Sequence, residues 1–245
     1  MALLTDGTIS TLEELREYES AIYDVASTER IDLSRKLALA QQELEVELTA
    51  RLFADEPGSI RRVVVTAPLR LWHTFRTLAI AYRDAYNSHL NDRYKGKWRE
   101  YERLAGWASK SLGETGIGMV TTPVPKAPPP VLSTTAGSAG AAMYWVRAAW
   151  IGEAGEEGCP SDPGVLSAPE GTVPVAQAGE APPNVSGWNV YVGLSIDDSR
   201  LQNPSPISLS ENWVMPATGL AAGKRAGEGQ LPSIYKRIER VLRRG

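Results

Sequence analysis

The sequence has few of the residues on which common functional sites depend. Its 245 residues include one cysteine, Cys159, and two histidines, His73 and His89. A single cysteine excludes a disulfide within the chain, and therefore a disulfide-stabilised scaffold. The two histidines fall about 160° apart around a predicted helix, so that helix cannot direct both toward one metal ion. We expect no metal site, no cofactor and no catalytic residue.

Long apolar stretches are also missing. No run reaches the roughly 20 residues that span a bilayer, so we expect no membrane partner. The first twenty residues are acidic and polar, unlike a secretory signal peptide, which predicts a protein made in the cytoplasm. The phosphate-binding patterns GxxxxGKS/T and GxGxxG after a strand do not occur, which excludes the usual motifs of nucleotide-dependent enzymes.

The net charge of −3 conceals a strong segregation of charge along the chain. Residues 1–60 hold 13 acidic and 5 basic side chains, whereas residues 61–112 hold 11 basic and 4 acidic. Residues 113–230 hold 11 acidic and 5 basic side chains, and residues 231–245 hold 5 basic and 1 acidic. Segregation of this kind indicates complementary surfaces. The oppositely charged segments can pair within one chain or between neighbouring subunits, and the sequence leaves both open.

Residues 1–122 predict a helical domain. Ser10 and Glu13 have the spacing of a capping box, and Asp32 can cap a second helix. A third, longer helix carries an aromatic stripe, and Gly96 can interrupt it. The apolar positions of the second helix follow a 3.6-residue period and are Leu33, Leu37, Ala40, Leu44, Leu48 and Leu52. Those of the third helix are Trp72, Phe75, Ala79, Tyr82, Tyr86, Leu90, Tyr101, Leu104, Ala108 and Leu112.

The second half of the chain predicts different structure. Residues 123–135 are rich in proline and predict an extended, semi-rigid linker. Residues 136–224 contain short β-type runs separated by turn residues, which favours one antiparallel β-sandwich of immunoglobulin or fibronectin type. Residues 225–245 form a basic tail in which Ser233 can cap a short helix. The expected fold class is therefore α+β and multidomain: a helical bundle, a small antiparallel β-sandwich and a C-terminal tail helix. The β-type runs are 143–151, 171–178, 187–195 and 212–217.

Three groups of residues raise further chemical possibilities. Glu43 and Glu47 share a helix face, and paired carboxylates can perform acid–base catalysis, although far more often they are a solvated face. The loop 152–158 has three carboxylates among glycines and can hold calcium loosely, but it lacks the ligand spacing of an EF-hand. Basic residues interleaved with aromatics between 83 and 99 leave non-specific contact with a DNA backbone open.

Two parts of the sequence resemble known families. The segment LSRKLALAQQELEVELTARL, followed by LRLWHTFRTLAIAYRDAYNSHLNDRYKGKWREYERLA, resembles the helical core of head-to-tail connector (adaptor) proteins of tailed bacteriophages. The most specific part is YRDAYNSHLNDRYKGKW, residues 82–98. The second half, with GWNVYVGLS, LQNPSPI and GEGQLP, is similar to the fibronectin- or immunoglobulin-like domains often appended to phage structural proteins. This appended domain departs from the minimal connector, which consists of helices alone.

The connector resemblance implies a structural virion protein, without catalytic activity, in the neck at the head–tail junction. Its copies would form a closed ring, usually dodecameric, that docks beneath the portal protein, passes DNA through its lumen and binds a tail-side neck or tail protein. In related connectors a C-terminal segment reaches into the portal. The residues expected in that role are Ile234, Tyr235, Lys236, Arg237, Ile238, Arg240, Val241, Leu242, Arg243 and Arg244. The residues expected between subunits are Glu43, Glu47, Trp72, Arg83, Tyr86, Arg93, Tyr94, Trp98 and Arg99.

Two other functions remain as alternatives. The chain can be a phage tail or surface protein whose β-sandwich binds carbohydrate or a host receptor through exposed aromatic side chains. It can also be a cell-wall hydrolase that uses Glu43 and Glu47. The aromatic platform of the first alternative would consist of Tyr144, Trp145, Trp188, Tyr191 and Trp213.

Overall fold

A computed structural model describes residues 1–52, 59–89 and 92–237. Within these ranges, helices fill the N-terminal half and antiparallel β-sheets follow, so the fold class is α+β, as expected. The chain forms two compact units. The helical unit comprises residues 7–121 and the segment that begins at Pro232, whereas the β unit comprises residues 1–6 and 122–231. The first six residues, which we expected in the helical domain, therefore belong to the β unit. The segment 225–245, which we expected as a separate tail, is divided: residues 225–231 belong to the β unit and the segment from Pro232 to the helical unit.

The helical unit is built from five helices within the described ranges. They are α1 (Leu12–Tyr18), α2 (Ile22–Glu29), α3 (Leu33–Leu52), α4 (Ala67–His89) and α5 (Asp92–Thr115), with a 3₁₀ turn at Ser59–Arg62 before α4. All of the other four helices contact α4. Between Trp72 and Tyr82 every side chain of α4 except Arg76 is buried, so α4 is the central element of this unit.

α1 begins at a capping box, but one residue later than the sequence predicts. Thr11 Oγ1 accepts a hydrogen bond from Glu14 N at 3.2 Å, and Glu14 Oε2 accepts one from Thr11 N at 2.7 Å. Ser10, the expected cap, is buried instead and shares a hydrogen bond with Thr74 Oγ1 at 2.9 Å. The Thr-x-x-Glu spacing satisfies the same rule as Ser-x-x-Glu, so local pattern alone did not distinguish the two registers.

The sequence prediction for α3 is confirmed. Asp32 Oδ1 accepts a hydrogen bond from Arg35 N at 3.1 Å, which satisfies one of the free amides of the first turn. The six predicted apolar positions of α3 are all buried.

The aromatic stripe is divided between α4 and α5 rather than carried by one helix. α4 ends at His89 and α5 begins at Asp92, so the break precedes Gly96, which lies inside α5. Residues 90 and 91, including the predicted stripe position Leu90, lie outside the described residues. The two helices pack side by side as a hairpin along most of their length.

The end of the described chain is a strand, so the predicted helix that begins at Ser233 is wrong for residues 234–236. Strand β9 (Ile234–Lys236) pairs antiparallel with β1 (Ile117–Met119), and Ser233 N donates to Met119 O at 2.9 Å. The other edge of β1 is bonded to the segment before α4, where Val64 N donates to Gly118 O at 2.9 Å. A vacant edge of β1 therefore competed with the local helix signal. Residues 238–245 lie outside the description.

The β unit contains two antiparallel sheets. Their strands are β2 (Val131–Ala136), β3 (Ala142–Gly152), β4 (Gly164–Ala168), β5 (Thr172–Gln177), β6 (Val185–Gly193), β7 (Arg200–Leu201) and β8 (Trp213–Val214). One sheet has the strand order β2-β5-β8 and the other β4-β3-β6-β7. Each of the four predicted β-type runs overlaps one of these strands.

One hydrophobic core joins side chains from both sheets. It includes Trp150 and Trp188 from the four-stranded sheet and Val173 and Trp213 from the three-stranded sheet. The proline-rich segment is part of this unit rather than a spacer, because Val124 lies in the same core and residues 131–136 form β2. The N-terminal residues are held in the same unit, since Lys126 N donates to Asp6 Oδ1 at 2.9 Å.

Candidate assembly surface of the helical unit

The aromatic side chains of α4 and α5 pack mainly on each other. Tyr82 stacks on Tyr101 with ring centroids 5.7 Å apart, and Tyr86 stacks on Trp98 with centroids 5.8 Å apart. Tyr94 extends the first pair, since its centroid lies 6.2 Å from that of Tyr82. Stacked aromatic pairs of this kind add about 0.5–1.5 kcal/mol beyond the area they bury. The stripe read from the sequence is therefore the internal seam of a helical hairpin.

Arg76 ties three helices together. It projects from α4, and its Nε donates to Glu43 Oε2 on α3 at 2.5 Å while its Nη1 donates to Glu102 Oε1 on α5 at 2.8 Å. Burial lowers the pKa of the Arg76 guanidinium, but the two carboxylates outweigh burial and hold that pKa above its ordinary value. Glu43, which we expected between subunits, thus has a partner in its own chain.

A groove of about 280 Å³ runs beside this clamp between α3 and α5. Its floor is Trp72 of α4, which is buried rather than presented to a neighbouring copy. The Arg51 guanidinium lies over the Trp72 ring, 5.2 Å from its centroid, and donates to Glu47 and, at 2.8 Å, to Ser109 Oγ. Glu47, the second acidic residue expected between subunits, is therefore also paired within the chain.

Further ion pairs join the acidic first sixty residues to the basic segment that follows. Arg70 Nη1 lies 3.1 Å from Glu14 Oε1, and a second pair has the opposite polarity, since Lys36 of the acidic segment pairs with Asp84 of the basic one. Of the two pairings that the sequence left open, the one within a single chain therefore accounts for much of the charge in α3 and α4. It does not account for the charge of the exposed cations Arg99, Arg103 and Lys110 on α5.

Glu19 is a buried carboxylate at the junction of α1 with α5. Lys97 Nζ lies 2.8 Å from Glu19 Oε2, and Tyr101 Oη donates to the same oxygen at 2.8 Å. Burial raises the pKa of Glu19, but these two partners outweigh it and leave the net pKa below its ordinary value. Burial first, and the nearby Glu19 carboxylate second, raise the pKa of Tyr101 above its ordinary range. The cluster thus holds an ionised glutamate against neutral tyrosines.

His73 is completely buried inside the helical unit. Its Nε2 is 3.1 Å from Leu37 O of α3, and its Nδ1 is buried without a hydrogen-bond partner among the described residues. Burial lowers the pKa of His73 to about 4. The imidazole is therefore neutral at physiological pH, with Nε2 as the donor. His89 ends α4, and its side chain lies outside the described residues.

The remaining residues expected between subunits have different surroundings. Tyr94 is buried, and the guanidinium of Arg93 folds over its ring, 4.4 Å from the centroid. Tyr86 and Trp98 are half-buried, and they stack on each other. Arg83 is half-buried on α4, whereas Arg99 is exposed on α5. Arg99 is thus the member of the expected set that the structure leaves most available to a neighbour.

The outer face of α5 contains further available residues that sequence reasoning missed. Arg103 and Lys110 are exposed, as is Trp107, of which 53% is accessible to solvent. Arg99, Arg103 and Lys110 form no ion pair with any residue in the described ranges. The sequence contains this pattern, because positions 99, 103 and 110 share one helical face. The predicted contacts were instead based mainly on the aromatic stripe, which lies on the opposite face of the helix.

The C-terminal segment presents a second accessible surface. Strand β9 leaves Ile234 45% and Tyr235 58% exposed, and Arg237 follows them at the surface. The base of the segment is fixed, since Thr121 N donates to Ser233 Oγ at 3.1 Å in addition to the β1 pairing. Of the residues expected to bind the portal, Ile238, Arg240, Val241, Leu242, Arg243 and Arg244 lie outside the described residues.

In the β unit, the carboxylates of the loop 152–158 do not converge. Glu157 accepts hydrogen bonds from Tyr191 Oη and, at 2.8 Å, from Asn189 Nδ2, and Lys224 Nζ lies 3.1 Å from its Oε2. Burial raises the pKa of Glu157, but these donors outweigh it and leave the net pKa below its ordinary value. Among the described residues, no group of three or more His, Cys, Asp or Glu side chains is placed to hold a metal ion.

The aromatic side chains of the β unit are mostly interior. Tyr144, Trp188 and Trp213 lie in the hydrophobic core, and Tyr191 is buried beneath Glu157. Trp145 alone among the five predicted platform residues is partly accessible.

In the part of the chain that the structure describes, no helix is both long and apolar enough to cross a membrane. A scan of the chain against protein-family models finds no match, and a search of curated proteins finds none either.

Proposed function

We propose that this chain is a head-to-tail adaptor of a tailed bacteriophage. It assembles in the host cytoplasm into a ring, docks beneath the portal protein in the virion neck and receives a tail-side neck or tail protein on its far side. DNA passes through the ring and makes at most non-specific contacts. The protein has a structural role and carries no catalytic site, and a dodecameric ring is the expected assembly.

The observation that carries this proposal is the way the C-terminal segment is anchored. Strand β9 fixes residues 234–236 to the helical unit, and the chain then continues into the sequence RIERVLRRG, which contains four arginines. A firmly held base followed by a cationic segment is suited to capture by a partner, because the base sets its direction and the arginines supply charge-assisted hydrogen bonds.

The β unit supports a secondary part of the proposal. Two antiparallel sheets around one core are the arrangement of an immunoglobulin- or fibronectin-type sandwich, and we assign the unit to that class. In this proposal the sandwich decorates the neck or touches the tail-side partner. Burial of Tyr144, Trp188, Tyr191 and Trp213 removes most of the aromatic platform that carbohydrate binding would require.

The decisive experiment removes residues 238–245 and leaves β9 in place. Wild-type protein and the truncated chain are each mixed with the portal protein of the same phage, and docking is measured by co-sedimentation and negative-stain electron microscopy. We expect the wild type to dock and the truncated chain to lose docking while keeping its thermal stability. Docking by the truncated chain at wild-type affinity would contradict the role of this segment, and failure of the wild type to dock would contradict the adaptor function itself.

The position of the truncation matters. Removal of residues 232–245 would also delete β9 and the contacts of Ser233 with β1, so a loss of docking could then reflect damage to the helical unit. A matched control replaces Arg240, Arg243 and Arg244 by glutamine. This variant keeps the length of the segment and is expected to lose docking as the truncation does, because the guanidinium groups provide the attraction.

A further inference from the structure

We propose that copies of this chain associate head to tail through two opposite surfaces of the helical unit. The basic face is Arg99, Arg103, Trp107 and Lys110 on α5. The acidic face is Glu13, Glu17, Tyr18 and Asp24 on α1 and α2. The inference rests on the proposed ring and identifies the surfaces that build it.

The basic face has the composition of a contact surface. Its three cations are exposed and have no ion pair in the described residues, and Trp107 stands among them with about half of its surface accessible. Two exposed acids, Glu100 next to Arg99 and Glu114 one turn after Lys110, reduce the net charge of the face to about +1. Tryptophan and arginine are the residues that most often dominate binding energy at interfaces, and an exposed tryptophan without a partner indicates a surface that is covered in an assembly.

The acidic face matches it in sign and in its aromatic centre. Glu13, Glu17 and Asp24 are exposed and form no ion pair with a described residue. Tyr18 remains 48% exposed although its ring meets Phe75 edge-on, with centroids 5.3 Å apart. The exposed cation beside them, Arg16, lies over the Tyr23 ring and reduces the net charge of the face to about −2.

The two faces cannot meet within one copy. The end of α1 contacts α5 through Glu19, which pairs with Lys97, and through Tyr18 O, which accepts a hydrogen bond from Tyr101 Oη at 3.3 Å. At 100° per residue, Arg99, Arg103 and Lys110 lie about 120–160° around α5 from Lys97. The acidic face of α1 is thus on one side of α5 and the basic face on the other.

This geometry selects the type of association. If two copies paired by a two-fold axis through either face, like charges would be placed against each other, which is unfavourable. Contact of the basic face of one copy with the acidic face of the next is heterologous, and repetition of that contact gives a ring if the rotation closes. A second copy is therefore the occupant that satisfies both faces at once.

Charge reversal tests the inference. One variant carries Arg99→Glu, Arg103→Glu and Lys110→Glu, and the other carries Glu13→Lys, Glu17→Lys and Asp24→Lys. Each variant presents two faces of the same sign, so we expect self-association, measured by analytical ultracentrifugation, to weaken roughly tenfold or more in each. When the two variants are mixed, acidic and basic faces alternate again, and association is expected to return to the wild-type level. A third variant that carries all six changes should also associate.

The controls separate the outcomes. Reversal of Glu153, Glu170 and Glu180, which are exposed in the β unit, adds the same charge as the reversal on α1 and α2 and should leave association unchanged. A wild type that stays monomeric at its highest attainable concentration, or single-face variants that associate normally, overturns the inference. Loss of binding to duplex DNA in the α5 variant, with self-association intact, would show that the occupant is nucleic acid. Portal docking is scored separately, so the adaptor function can fail while head-to-tail association holds, and the reverse.

Discussion

The two units differ in what they bury. The core of the β unit is apolar and contains Trp150, Trp188 and Trp213, whereas the helical unit encloses a carboxylate at Glu19 and an imidazole at His73. An apolar core needs only close packing, but a buried polar group needs a defined partner in a defined place. The β unit also buries polar side chains, such as Asn189 and Asn203, but these are not titratable, whereas the helical unit holds a carboxylate and an imidazole in place between its helices.

The two units also differ in how the charged side chains at their surfaces are paired. In the β unit most basic side chains have an acidic partner within the unit: Lys126 pairs with Asp162, Lys224 with Glu157, and Arg200 and Arg225 with Asp198. In the helical unit several ion pairs join different helices, but Arg99, Arg103 and Lys110 on one face of α5 have no ion-pair partner among the described residues. The comparison indicates that the cations of the β unit are mostly paired within that unit, whereas those on the outer face of α5 have no ion-pair partner among the described residues.

The largest expected effect comes from the β unit. Trp188 is completely buried, and its Nε1 donates to Ser208 O at 3.3 Å. We expect Trp188→Ala to lower the free energy of unfolding by about 3–5 kcal/mol, because it leaves a large cavity in a core that depends on packing. Chemical denaturation followed by circular dichroism measures this loss. Leu194→Ala, at a position that is mostly exposed, is the control and should change stability little.

We expect a smaller effect in the helical unit, whose free energy of unfolding should depend on pH through His73. The folded-state pKa of His73 is about 4, compared with 6.5 for the free group. The unfolded chain therefore binds a proton first as the pH falls, so the stabilisation is complete above the unfolded pKa of 6.5 and is lost toward 4. Between pH 7 and pH 5 we expect a loss of about 2 kcal/mol.

The measurement is a series of denaturation curves over that range of pH. His73→Leu has a similar volume and no titratable group, so its stability should be nearly constant over the same range. Glu19 and Glu157, whose pKa values are lowered, lose their contribution only below the ordinary glutamate value of 4.5 and do not interfere. An unchanged slope in His73→Leu would show that another group titrates.

Helix α3 and the C-terminal segment show which parts of the fold the sequence alone could predict. The core positions of α3 were all predicted, because their 3.6-residue period is uninterrupted and the helix packs along one face. The segment after Ser233 has a helical pattern too, yet residues 234–236 form a strand because β1 offers an unpaired edge. A partner distant in sequence overrides a short local signal, since an isolated short helix is only marginally stable.

The same limit applies to the proline-rich segment and to the candidate site. Val124 and residues 131–136 join the β unit, because a proline-rich segment excludes helix but not a place in a sheet or core. At the candidate assembly surface, the sequence identified the types of charge but not their partners. Glu43 and Glu47 are engaged by Arg76 and Arg51, and only the fold could show that Arg99 remains available.

The smallest expected effect concerns the ion pair between Glu43 and Arg76. Glu43 is bonded to Arg76, but nearly half of its side chain is exposed, and Arg76 keeps Glu102 when Glu43 is neutralised. We therefore expect Glu43→Gln to cost less than about 1 kcal/mol of stability, as is usual for exposed ion pairs. A double-mutant cycle with Arg76→Met should give a coupling energy in the same range, because the pair acts within one chain.

Self-association provides the second readout for Glu43→Gln. If Glu43 serves only the clamp on Arg76, ultracentrifugation should show the same association constant as for the wild type. If association weakens while the free energy of unfolding is unchanged, Glu43 contacts a neighbouring copy, as its sequence first suggested, and the acidic surface of the assembly extends from α1 and α2 onto α3. Arg99→Gln, measured beside it, should weaken association without loss of stability, because its guanidinium forms no ion pair in the described chain.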